Sequence, residues 1–180
     1  MTNRKREKIK QMSELDKVNL FKTMQSDILE LKEEIYTFRK QVIRSQADAI
    51  TYFRTIAPID RENVYALFLD TKTKVIDFIK ISDGTLTQCL MYPREVVRHA
   101  LSMAAATIVI MHNHPSGDFE PSEADRKMTK KLLFALKEID MQLLDHIITG
   151  KDAKYFSFYE DGLMERYNTQ YRTVIETYNI

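Results

Sequence analysis

The chain has 180 residues, 44% of them apolar and 29% charged, which suits one domain with an extension and allows a substantial buried core. Its 27 basic and 26 acidic side chains leave a net charge of +1, without the basic excess expected of a protein that relies on phosphate contacts. The single cysteine, Cys89, excludes an intramolecular disulfide and fits a reducing compartment.

The chain begins with the basic stretch "RKREKIK" at residues 4–10. It could contact nucleic acid, although a solvated terminus is the simpler interpretation. No apolar signal segment follows it, and no part of the sequence reaches the roughly 18 apolar residues of a membrane span. We therefore expect a cytoplasmic protein that does not enter a membrane.

A long helix is predicted next, because residues 12–44 contain neither proline nor glycine and their apolar residues recur at spacings of three and four. The length allows one helix or a helical hairpin. Two arrangements remain open: the helix could pair with a second copy of the chain as a coiled coil with imperfect heptads, giving a homodimer, or lie along its own domain. We assign residues 1–43 to an N-terminal helical extension.

The following segments predict a helix and a hairpin. In the helix at 44–56, Ser45 is placed to cap the first turn with Asp48, and Pro58 ends the helix. The β-branched and aromatic runs after it predict strands at 63–70 and 74–82, then an extended segment at 84–92 and a helix at 93–105 that starts with Pro93.

The second half of the chain alternates between strand and helix patterns. Strands are predicted at 107–112, 142–150 and 154–160, and helices at 122–140 and, from a weaker pattern, 162–180. This succession predicts a mixed sheet with helices packed on it. We assign 44–158 to one α/β domain and 159–180 to a helical C-terminal tail.

The stretch "HNHPSGDFEPSEAD" at residues 112–125 holds the strongest chemical signal. His112 and His114 are two apart at the end of a strand, so both imidazoles point to one face. A turn then returns the chain, and Asp125 falls in the first turn of the next helix. Two imidazoles and a carboxylate are a three-ligand zinc set that leaves a fourth position for water.

Each part of this stretch also has a plain structural explanation. Ser122 and Asp125 form an ordinary capping box, in which Asp125 needs no metal. A histidine pair in a strand is weak evidence when it stands alone. The joint pattern within fourteen residues favours the metal site.

The same stretch resembles the JAMM (MPN+) signature of zinc-dependent isopeptidases, and "LDTKTKVI", "GTLTQCLMYPREVV" and "LLDHIITG" resemble further blocks of the RadC-like branch. The resemblance covers residues 44–158. It implies a deaminase-like α/β/α sandwich and a zinc-dependent hydrolase of peptide, isopeptide or other amide bonds, with zinc held by His112, His114 and Asp125. A DNA-repair association is implied by the family alone, and residues 1–43 lack the glycine-bearing hairpins of a helix-hairpin-helix region.

The resemblance also implies catalytic roles. Glu62, just before the first strand of the sheet, matches the glutamate that moves protons, and Ser122 matches the donor to the oxyanion. Glu95 is the rival base, although its place in a first helical turn explains it without chemistry. His146 and Asp145 could support the metal ligands from an adjacent strand, but a core histidine is the simpler interpretation. His99 has no assigned role.

Two functions from different classes follow. The first is a metallopeptidase acting on a peptide or an isopeptide-linked protein. The second is a non-catalytic interaction module stabilised by a metal and associated, on weak support, with nucleic acid. The letters "HNH" do not indicate a nuclease, because HNH nucleases spread those residues over a ββα unit.

Overall fold

The computed structural model describes residue 7 and residues 9–39, 41–56, 62–83, 91–114, 116–150 and 154–178. Its helices and strands, named in chain order, are α1 Glu14–Arg39, α2 Gln46–Ile56, β1 Asn63–Leu69, β2 Val75–Asp83, α3 Pro93–Ser102, β3 Thr107–Asn113, α4 Glu123–Lys137, β4 Gln142–Thr149, β5 Tyr155–Ser157 and α5 Leu163–Tyr178. Among the described residues, no helix is both long enough and apolar enough to cross a membrane.

These bounds agree with the elements predicted from the sequence, to within a few residues at each end. The long N-terminal pattern forms one helix and not a hairpin. Ser45 caps α2 by accepting a hydrogen bond from the backbone N–H of Asp48 at 3.2 Å. Pro58, Cys89, most of the basic stretch and most of the extended segment at 84–92 lie outside the described residues.

The chain divides into two compact units, Met1–Arg39 and Lys40–Ile180. The first consists mainly of α1, whose first turn is capped by Ser13, since the Ser13 hydroxyl accepts a hydrogen bond from the Asp16 N–H at 3.1 Å. The second contains the sheet and the remaining helices.

The second unit is built on a five-stranded mixed sheet with the strand order β2-β1-β3-β4-β5. Antiparallel pairing joins β1 to both β2 and β3 and joins β4 to β5, whereas β3 and β4 are parallel. The parallel pair requires a crossover, which α4 supplies. Every residue of β1 and of β3 is buried. Continuous burial of this kind is expected of strands covered on both faces.

Helices cover both faces of this sheet. On one face β1 and β3 present Ala66, Phe68 and Ile110 to a core that α3, α4 and α5 complete with the side chains Val96, Ala100, Leu132, Leu133, Leu136, Leu163, Met164 and Tyr167. On the other face lies α2, whose Phe53 ring meets the Tyr65 ring edge-on with centroids 5.5 Å apart. This arrangement confirms the predicted α/β/α sandwich with a mixed sheet.

Candidate metal centre

The pairing of β1 with β3 brings the start of one strand beside the end of the other. Val64 is the register partner of His112, and the two strands run in opposite directions. The residue two before Val64 therefore falls beside the residue two after His112, and directly paired residues project to the same face. Glu62 and His114 thus meet at one edge of the sheet, on the same face as His112.

The chain after β3 turns back and begins α4 at the same edge. The His114 N–H donates to the Thr149 carbonyl at 2.9 Å, and the His114 carbonyl accepts from the Gly117 N–H at 3.0 Å. Ser122 then caps α4: its hydroxyl accepts from the Asp125 N–H at 3.2 Å, and Asp125 Oδ2 accepts from the Ser122 N–H at 2.8 Å. The predicted capping box is present.

Four candidate ligand groups converge at this edge. The Nε2 atoms of His112 and His114 lie 2.8 Å apart. Asp125 Oδ1 is 3.6 Å from Nε2 of His112, and Asp125 Oδ2 is 3.8 Å from Nε2 of His114. One ligand atom each of Glu62, His112 and His114 lie within 4.8 Å of one another. Ligands about 2.0 Å from a tetrahedral zinc are about 3.3 Å apart, so these groups fit such an ion after small side-chain shifts.

The two interpretations of Asp125 are compatible. Its Oδ2 accepts hydrogen bonds from the Ser122 N–H and, at 2.5 Å, from the Ser122 hydroxyl. Its Oδ1 faces His112 across 3.6 Å. Oδ2 therefore caps α4 and also lies 3.8 Å from Nε2 of His114, while Oδ1 faces His112.

The structure separates the two rival glutamates. Burial raises the pKa of Glu62, the charge of Asp125 raises it further, and His114 opposes both effects. A carboxylate whose pKa is raised above its ordinary value is better suited to accept and return a proton. Glu95 instead lies on α3, with its carboxylate 3.2 Å from Arg98 Nε and 3.5 Å from Arg94 Nε. Glu62 also lies close enough to ligate a metal, an arrangement that the sequence did not indicate.

Comparison with known proteins agrees with this geometry. Residues 43–163 match the family model of the RadC-like JAB domain. This chain belongs to that family.

Three relatives match this chain over different fractions of its length. A UPF0758 protein of Vibrio cholerae is 38% identical over 133 residues, which are 71% of this chain and 84% of that protein. One of Clostridioides difficile is 36% identical over 87% of this chain and 68% of its own length. One of Pseudomonas fluorescens is 49% identical over 53% of this chain and 42% of its own length. These names state no activity.

The buried side of the JAB-domain centre is formed by His112 and His146. Both are buried, and His112 Nδ1 lies 2.8 Å from His146 Nε2. Burial lowers the pKa of His112 to about 4; Asp125 opposes this shift and His114 adds to it. His112 is therefore neutral at physiological pH, which is the form of histidine that binds metals. His146 is at once a core histidine and a direct neighbour of a candidate ligand.

Asp145 has a structural role in this JAB domain as the acceptor of three hydrogen bonds. Its carboxylate accepts hydrogen bonds from the Ser157 hydroxyl at 2.6 Å, the Tyr159 N–H at 2.9 Å and the His146 N–H at 2.7 Å. Burial raises its pKa to about 6, although these hydrogen bonds lower it. Asp145 thereby joins β4 to β5 and to the turn that follows. His99, for its part, lies 2.8 Å from a guanidinium nitrogen of Arg98.

Three features of the JAB-domain centre were missed from the sequence. Thr129 lies one helical turn after Asp125, with its hydroxyl 2.6 Å from His146 Nδ1. His114 Nδ1 donates to the Asp118 carbonyl, 2.7 Å away. A side chain at Gly150 would meet the Gly117 carbonyl oxygen at 2.5 Å. For Thr129, the one signal in the sequence was its helical spacing from Leu132, Leu133 and Leu136, which places it on the apolar face of the predicted helix.

Proposed function

We propose that this protein is a zinc-dependent hydrolase of amide bonds of the JAMM type. The observation that carries the proposal is the convergence of two imidazole Nε2 atoms, 2.8 Å apart, with the carboxylates of Asp125 and Glu62 at the tip of β3. Two histidines with carboxylates are a donor set of catalytic zinc sites, which keep one position open. Membership in the RadC-like JAB domain family supports the same chemistry.

In this proposal His112, His114 and Asp125 hold the zinc. When bound, the ion supplies Lewis acidity, which lowers the pKa of a coordinated water to near 7 and polarises the carbonyl to be attacked. His112 and His114 bring their Nε2 atoms as ligands from one strand face. Asp125 brings one carboxylate oxygen, and its other oxygen stays with the α4 cap.

The proton transfers fall to Glu62. Its raised pKa and its place beside the histidines suit it to take the proton of the attacking water and to pass it to the departing amine. Ser122 supplies a hydroxyl that can donate to the developing oxyanion after it leaves Asp125. Loss of such a donor typically slows kcat by about 10²–10³.

The substrate class is a peptide or an isopeptide-linked protein. The resemblance to JAMM isopeptidases supports this class. The alternative is a non-catalytic module that holds a metal, and the two experiments below distinguish it from a hydrolase.

The first experiment measures zinc in the purified full chain by elemental analysis. We expect about one zinc per chain, lost in the double variant His112→Ala, His114→Ala. His99→Ala is the matched control, because His99 lies on α3 beside Arg98, and it should retain the zinc. Stoichiometric zinc in the double variant would contradict the site.

The second experiment measures hydrolysis of a panel of fluorogenic peptides and isopeptide-linked conjugates by the zinc-loaded chain, with and without chelator. Glu62→Gln should lose hydrolysis and keep zinc, whereas Glu95→Gln should keep both. Loss of zinc from Glu62→Gln would make Glu62 a ligand and remove its role as the base. A zinc-loaded protein inactive on the whole panel would favour the interaction module.

A further inference from the structure

A chain of hydrogen bonds runs from the backbone of α4 to Nδ1 of His112, the ring nitrogen that does not face the proposed metal site. The Thr129 hydroxyl lies 2.6 Å from the Asp125 carbonyl oxygen and 2.6 Å from His146 Nδ1. His146 Nε2 in turn lies 2.8 Å from His112 Nδ1. Thr129, His146 and the His112 imidazole are all buried, so water does not compete for these contacts.

The direction of each bond in this chain follows from its first member. A carbonyl oxygen only accepts, so the single hydroxyl proton of Thr129 goes to Asp125. The contact with His146 is then one in which Nδ1–H donates to Oγ1. The His146 ring is buried, and its two nitrogens meet the Thr129 hydroxyl and the His112 imidazole and not a carboxylate, so a charge on the ring would be uncompensated and the ring is neutral. Its Nε2 therefore accepts, and His112 Nδ1–H donates to it.

We propose that Thr129 and His146 are positioning residues that set the tautomer of His112 and direct its Nε2 lone pair at the zinc. This inference rests on the proposed zinc site. The His146 ring is held in place by Phe158, with centroids 4.8 Å apart and planes 11° from parallel. The hydrogen-bond chain from Thr129 through His146 to His112, called the relay below, thus has a fixed geometry before any ion binds.

The relay gives the short distance between the two histidines a physical meaning. His114 Nδ1 donates to the Asp118 carbonyl at 2.7 Å, so in its neutral form its Nε2 also carries a lone pair. Two lone pairs then face each other across 2.8 Å, an arrangement that becomes favourable when a proton or a metal cation lies between them or beside them. The two histidines are therefore pre-set to receive a cation.

The tautomers can be read directly in the full chain. In metal-free protein, long-range ¹H–¹⁵N correlation spectra should show the proton of both His112 and His146 on Nδ1. A proton on Nε2 of either ring would overturn the relay. This readout does not depend on zinc, so a wild-type chain that binds no zinc would refute the proposed function while the relay is still judged by the spectra.

Zinc affinity, measured by competition with a chelator, tests the consequence. Thr129→Val removes the hydroxyl at nearly constant volume and should weaken binding by about 10- to 100-fold, as loss of an outer-shell partner typically does. Thr129→Ser should restore the affinity. Thr173→Val is the matched control, because the Thr173 hydroxyl makes the same bond to the carbonyl four residues back, at 3.1 Å, and contacts no histidine. Unchanged affinity in Thr129→Val would overturn the proposal.

A second inference comes from α1, which is a separate unit. Seven apolar side chains of this helix are between 48% and 69% exposed: Leu15, Val18, Phe21, Met24, Ile28, Leu29 and Leu31. Apolar side chains exposed in this number along one helix are typical of an interaction surface. From residue 21 onward one apolar stripe has spacings that alternate between three and four: Phe21, Met24, Ile28, Leu31, Ile35 and Phe38.

The charges beside this stripe specify the partner. With Ile28 at a heptad a position and Leu31 at d, the g positions hold Asp27 and Glu34 and the e positions hold Lys32 and Arg39. In a parallel, in-register pair each g residue meets the e residue of the next heptad, so acid meets base at both places. In an antiparallel pair g meets g and e meets e, which brings like charges together. We infer that α1 forms a parallel two-stranded coiled coil with a second copy of this chain.

Sedimentation equilibrium on the full chain tests this pairing. Wild type should be a dimer. The basic variant Asp27→Lys, Glu34→Lys and the acidic variant Lys32→Glu, Arg39→Glu should each be monomeric alone and should form a mixed dimer when combined. A monomeric wild type, as expected if α1 lies along its own domain, would overturn the inference, and so would charge variants that remain dimeric alone.

Discussion

The folded protein should lose stability in mild acid because of His112. Burial lowers the pKa of His112 to about 4 in the folded, metal-free chain, whereas a histidine in the unfolded chain titrates near 6.5. As the pH falls below about 6.5, the unfolded chain binds this proton and the folded chain does not. The full stability is therefore present above about pH 6.5 and is lost progressively down to about pH 4.

The size of the loss follows from the two pKa values. Between about pH 7 and about pH 5, a shift from about 6.5 to about 4 reduces the free energy of unfolding by about 2 kcal/mol. His146 acts in the same direction, since burial lowers its pKa as well. Asp145 acts in the opposite direction, because its raised pKa of about 6 means that the folded state takes up a proton before the unfolded state does.

Urea unfolding of the chelator-treated protein at the two pH values measures the effect, and His112→Gln isolates it. The contributions of His146 and Asp145 are present in both proteins, so they largely cancel in the difference. Wild type should lose about 2 kcal/mol more than His112→Gln on acidification. An equal loss in the two proteins would show that the folded state tolerates a charged His112, and the inference of a permanently neutral ligand would fail.

Three further predictions concern groups around the centre. Ser122→Ala should lower the free energy of unfolding by about 1 kcal/mol through loss of the α4 cap, measured by urea unfolding, and no change would mean that the cap contributes nothing. Asp145→Ala leaves three donors without an acceptor and should cost about 4 kcal/mol, with a smaller loss in Asp145→Asn; equal losses would contradict the hydrogen-bond argument. Gly150→Ala should weaken zinc binding by displacing the turn after His114, and wild-type affinity would show that the turn can yield.

Local chemistry made half of the centre predictable. His112 and His114 are two apart in an extended strand, and Ser122 and Asp125 are three apart at a helix start, so their directions follow from the period of the strand and from the capping geometry. The structure places each of these groups as those rules require. The identity of the ion and the roles of the residues remain predictions.

Glu62 needed more than local rules. Fifty residues separate it from His112, and the sequence offered Glu95 as a rival. The antiparallel register of β1 and β3 places Glu62 beside the histidines, whereas the carboxylate of Glu95 forms ion pairs with Arg94 and Arg98. Strand pairing joins residues that are far apart in the sequence. Its register depends on which apolar faces of the strands the helices on the two sides of the sheet bury.

The sequence by itself determined the α/β character, the run of strands and helices, and the two-histidine motif with its capped helix, because each depends on residues within a few positions of one another. Only the tertiary structure decided that Thr129, on α4, and His146, on β4, meet behind His112 and orient it. A hydrogen-bonded tautomer depends on contacts between separate elements in a buried core. The hydrophobic periodicity of the sequence does not predict such contacts.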